Sequence, residues 1–110
     1  MNKIDIFRNL AGDIVKVELD GHTGYADAGS DIVCAAISSV VFSTFNGVEK
    51  VVGVDIGYEQ ADGYLLVVLP ESIKTEKRKN INILLESMVL FLKDLTTQYP
   101  DNIQIAELEV

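Results

Sequence analysis

The sequence predicts an α/β protein: a two-layer sandwich of two helices on a mixed sheet, in the order β-β-α-β-β-α-β. Three observations predict it. Short stretches near the start alternate apolar and polar residues with period two, as half-buried strands do. Two later stretches repeat apolar residues every three or four positions, as amphipathic helices do. Glycine, asparagine and aspartate clusters separate the stretches and supply turns.

In chain order, Ile4 and Ile6 share a face that Arg8 extends, while Lys3, Asp5 and Phe7 take the other. Ala11-Gly12-Asp13 then turns the chain. Val15, Val17 and Leu19 alternate with Lys16, Glu18 and Asp20, so the two runs read as a hairpin with one wet face. A helix begins at Ser30 or Asp31, either of which suits an N-cap. Its apolar positions are Val33, Ile37, Val40, Val41 and Phe45, and Asn46-Gly47 is expected to end it. A third strand is expected over Val51–Glu59, a turn over Gln60-Ala61-Asp62-Gly63 with Asp-Gly as its hairpin signal, and a fourth strand over Tyr64–Leu69. That strand is apolar throughout, which suggests burial on both faces or a subunit contact. A second helix follows the charged segment from Lys74, with a stripe of Ile81, Leu84, Leu85, Met88, Phe91, Leu92, Leu95 and Tyr99. Ile83, Val89 and Leu90 lie off the stripe and point to a second buried contact. Ile103, Ile105 and Leu108 suggest a last strand.

A chain of 110 residues with 48% hydrophobic residues has the makings of one folded domain over 1–110. Seventeen acidic against nine basic residues give a net charge of −8. That opposes direct nucleic-acid binding, which needs a basic face. It suits either simple solubility or a basic protein partner. A single cysteine allows no internal disulfide and fits a reducing compartment, the cytoplasm. No unbroken apolar run is long enough to span a bilayer, so no membrane is expected.

The chemistry concentrates in residues 21–38, which hold the only histidine, His22, and the only cysteine, Cys34. His22 closes the second strand, and Cys34 falls in the first turn of the first helix. Gly21, Gly24 and Gly29 bracket and punctuate the loop between them, and glycines let such a loop change shape. A base at a strand end and a thiol at a helix start meet if the helix packs back on the sheet, a geometry for nucleophilic catalysis. Helix-start N–H groups favour a thiolate and offer an oxyanion site. Asp31, Cys34 and Ser38 share one helix face. Asp31 either orients His22 or caps the helix. Ser38 either touches substrate or bonds back to its own helix. Taken singly, a free cysteine is a packing residue and a lone histidine a satisfied one. One histidine and one cysteine are too few soft ligands for a closed zinc site, so neither metal nor cofactor is expected.

The string Gly21-His22, a loop, then Gly29, Asp31, Val33-Cys34-Ala35-Ala36 and Ser38 resembles the signature of the ribosomal-processing cysteine protease (Prp) family. Thr23 departs from it, where the family more often has alanine. The resemblance implies a cytoplasmic bacterial cysteine protease with a Cys34–His22 dyad, a fold of the kind read above, and a homodimer. It further implies removal of the N-terminal extension of a large-subunit ribosomal protein, with cleavage after a pair of phenylalanines. Two other classes fit the residues alone. One is a dimeric, non-catalytic ribosome-associated binding protein. The other is a thiol redox sensor, whose disulfide would have to be intermolecular for want of a second cysteine.

Overall fold

The computed structural model describes residues 2–21 and 31–110. Its elements are β1 (Asn2–Arg8), β2 (Ile14–Asp20), α1 (Ile32–Asn46), a π-helical segment (Gly47–Val52), β3 (Gly57–Ala61), β4 (Tyr64–Val68), α2 (Thr75–Gln98) and β5 (Ile103–Glu109). The strands form one five-stranded sheet in the order β3-β4-β2-β1-β5. Neighbours are antiparallel except β1 and β5, which run parallel. The predicted order and mixed sheet hold. Both helices contribute to one core with the inward residues of the sheet.

The first hairpin buries Ile4, Ile6, Val17 and Leu19 as expected, but Ile14 replaces Val15 inside. Arg8 faces Ile14 and Phe7 faces Lys16, so Val15 is an extra residue in the ladder. Such a bulge shifts the alternation by one place. Arg8 does extend the inner face, and at its end meets Glu86 of α2 at 2.6 Å.

Asp31 is the N-cap of α1, and Val33, Ile37, Val41 and Phe45 are its buried stripe. The helix does not stop at Asn46-Gly47. Gly47 keeps helical angles (φ −61°, ψ −43°), and the chain winds on through the π-helical segment. A Cβ on Gly47 would lie 3.4 Å from Leu84 Cδ1 of α2, an ordinary contact, so neither its backbone angles nor its surroundings make this glycine a stop. Gly53 takes the terminating role with φ 84°, ψ 44°, a conformation costly for other residues. Its carbonyl accepts a hydrogen bond from Lys77 Nζ at 2.9 Å. Val51 and Val52 therefore belong to the helical segment, and the third strand starts later, at Gly57, and runs on to Ala61, taking in Gln60 and Ala61 that were expected in the turn.

Burial in β4 alternates, with Leu65 and Val67 inside and Val68 40% exposed. Burial on both faces is thus corrected: the helices cover one face only, and the apolar run does not mark a doubly covered strand. In α2 the off-stripe Val89 is buried and the on-stripe Phe91 is 41% exposed, while Ile83 and Leu90 face outward. The start of α2 grips the β1–β2 turn. Arg78 Nη1 donates to Ile14 O and Asn82 Nδ2 to Asp13 Oδ1.

Ile32–Val52 is long and apolar enough to cross a membrane, by length and composition (21 residues, mean hydropathy 1.5). The absence of a long unbroken apolar run missed this, because scattered serines and threonines lower the average little. Val33, Ile37, Val41, Phe45 and Val48 of this segment are in the core with the sheet.

Candidate active site

Cys34 sits in the first turn of α1, half-buried. Its backbone N–H donates to Asp31 Oδ1 at 2.9 Å. Asp31, only 6% exposed, thus fixes the start of the helix and the height of the sulfur together. Ser38 lies one turn on. Both Cys34 and Ser38 line a cleft of about 440 Å³ between α1 and the β3–β4 turn. Ile37, Val41 and Phe42 continue the helix wall, and Gln60 to Gly63 form the wall opposite.

The end of β2 closes the cleft. Gly21, with φ 92°, donates its N–H to Gly63 O at 2.7 Å and accepts from Asn2 Nδ2 at 2.9 Å. Asn2 is held in turn by its own N–H to Asn102 O at 2.9 Å. The residue before His22 is therefore clamped from both sides. Asn2 Oδ1 is buried and has no hydrogen-bond partner among the described residues. On the sheet's open face, Tyr64 Oη donates to Glu18 Oε2 at 2.7 Å, which pushes the phenol up to about 12.

Of the residues singled out in the sequence, Gly21, Asp31, Cys34 and Ser38 come together at this cleft or its rim. His22, Gly24 and Gly29, with the rest of 22–30, lie outside the described residues. So does the expected change of shape in that loop. Asn2 and the Gln60–Gly63 wall escaped the sequence reading. Asn2 carried a usable signal: it shares the inward parity of Ile4 and Ile6, and an inward polar residue at a strand end asks for a partner. The opposite wall carried none, since only tertiary packing brings it to Cys34. Among the described residues, no three His, Cys, Asp or Glu side chains gather to hold a metal ion.

Residues 1–104 match the family described as "Cysteine protease Prp". The chain belongs to the Prp family of cysteine proteases. Two Prp relatives carry the description "Ribosomal processing cysteine protease Prp". The one from Bacillus subtilis strain 168 is 34% identical over 109 residues, covering 96% of each chain. The one from Staphylococcus aureus strain Mu50 is 29% identical over 107 residues, covering 96% of this chain and 97% of that one. The crystal structure of an S. aureus Prp with a covalently linked product peptide has a TM-score of 0.86 at 26% identity. The match covers 97% of this chain and 99% of that one. A Prp chain is a cysteine peptidase, so the inert-thiol and redox-sensor readings give way to peptide-bond chemistry.

Proposed function

We propose that this protein removes the N-terminal extension of a large-subunit ribosomal protein in the bacterial cytoplasm, with Cys34 as nucleophile and His22 as base. The observation that carries the assignment is that the chain's single cysteine stands half-buried in the wall of a cleft of about 440 Å³. A cysteine protease with one cysteine has one candidate for its nucleophile. The net charge of −8 suits a basic ribosomal substrate.

His22 takes the thiol proton as the sulfur attacks the scissile carbonyl. The carbon–nitrogen bond then breaks, and His22 returns the proton to the leaving amine. Water, deprotonated by His22, hydrolyses the thioester and frees the sulfur. Helix-start N–H groups support the oxyanion. Cys34 N–H already donates to Asp31 Oδ1, so it joins them only if the cap lets go. Ser38, in the cleft one turn below, is placed for substrate contact. The acting form is a homodimer, supported by the exposed Ile83 and Leu90 on one side of α2.

Incubation with a peptide of the ribosomal extension, followed by mass spectrometry, tests the assignment. Cys34→Ala and His22→Ala are each expected to abolish cleavage, since both act in one step. Cys34→Ala should still bind the peptide. Cleavage at the wild-type rate by either folded variant would refute the pair.

A further inference from the structure

The cleft at Cys34 does not end at Phe42. A smaller cavity of about 130 Å³ adjoins it, and the two share Val41, Phe42, Gln60 and Leu65. Its walls are Phe42 and Phe45 of α1, Ile56, and Tyr58 of β3. Tyr58 pairs with the buried Val67, which places both on the helix side of the sheet. Tyr58 is 62% exposed and Phe42 40% exposed, so an occupant would take apolar surface from water. Asn46, Glu49 and Gln60 supply a polar rim. The volume is small against the ~300–1,000 Å³ of pockets that enclose a whole small molecule. It has room for one side chain. Beside it runs β3, one of the sheet's two edge strands, exposed at every residue. An open edge offers backbone N–H and C=O groups to an extended peptide.

We propose that this cavity is a second subsite for the substrate peptide, seating one apolar side chain at a distance from the bond cut at Cys34. The proposal rests on the protease reading above. The spacing follows from helix geometry. From Cys34 to Phe42 and Phe45, α1 rises about 12 to 16 Å at ~1.5 Å per residue. An extended peptide covers ~3.3 Å per residue, so the seated side chain lies about four residues from the scissile bond. A groove with this second anchor selects segments long enough to span both cavities.

The test compares peptides that share a Phe-Phe cleavage site. Leucine or serine is placed three, four or five residues from it on either side. For the wild-type protein, one such position is expected to favour leucine by about tenfold or more in kcat/KM, the scale of burying one aliphatic side chain. Tyr58→Ser and Phe42→Ser should each bring that ratio close to one. Tyr58 lies on an exposed strand, so its variant keeps the test sound if Phe42→Ser unfolds. Equal cleavage of all peptides by the wild type, or a ratio that survives in both folded variants, overturns the subsite alone. Cleavage of no peptide overturns the protease reading, and the subsite with it.

Discussion

Arg8 ties the inner face of the sheet to α2. Its guanidinium donates to both oxygens of Glu86, to Glu107 Oε1 and to Gly12 O, while Lys93 also reaches Glu107. The hydrogen bonds from Arg8 hold the carboxyl groups of Glu86 and Glu107 below their ordinary value, with Lys93 adding to the effect on Glu107. Folding thus favours their ionised forms. The stabilisation is full above the ordinary carboxylate pKa of about 4.5 and is lost as pH falls through the lowered values. Both carboxylates are partly solvated, so the cluster contributes on the order of 1 kcal/mol and not the sum of its contacts. Arg8→Ala should lower the unfolding free energy at neutral pH by that scale, a fall in the urea midpoint of roughly 0.3–1 M, and the gap from wild type should close in acid. A gap that stays constant down to about pH 3, well below the unperturbed carboxylate range, would refute the pairing as its source.

The elements were legible where local pattern and tertiary role coincide. Period-two alternation found β1, and spacing of three and four found α1 and most of α2. Capping chemistry found Asp31, because an N-cap is a local hydrogen bond. The misreadings each have one physical source. Gly47 looked like a stop because glycine is common at helix ends, but it keeps helical angles and the left-handed position falls at Gly53 instead. Val15 looked buried because a bulge leaves no mark on composition. Of the two readings of Tyr64–Leu69, double burial fails because an apolar residue on an open face reads like one in a core. At the site, Cys34 and Ser38 were legible as one helix face. Asn2 and Gln60–Gly63 were not, since residues distant in sequence complete the cleft.

At the scale of the molecule, two faces carry uncovered apolar surface. On α2, Ile83 is 70% and Leu90 63% exposed. On the bare side of the sheet, Val68 and Leu108 are exposed and Lys16 stacks over Phe7 at 4.2 Å. A twofold contact through α2 would cover the first patch with its own copy. Leu90→Glu is therefore expected to shift a micromolar dimer toward a monomer in sedimentation, with little loss of fold because the side chain is outside the core. A wild-type protein that sediments as one 12.1 kDa chain up to about 100 μM, where micromolar dimers form, would rule the dimer out.

The parallel pairing of β1 with β5 has a consequence in time. Asn2 opposes Ile103, and its N–H rests on Asn102 O, so β1 waits for β5, which is synthesised later. Until then β1 has a bare edge, and contacts so remote in sequence form late. Asn2 is also what grips Gly21 at the rim of the cleft. A nascent chain therefore carries its cysteine long before it carries a finished place to use it. Pairing of β5 with β1 would set the moment at which cleavage begins. A chain ending at Pro100 should be inactive and should recover cleavage when a peptide of residues 101–110 is added. Full activity without that peptide would show that the cleft assembles independently of β5.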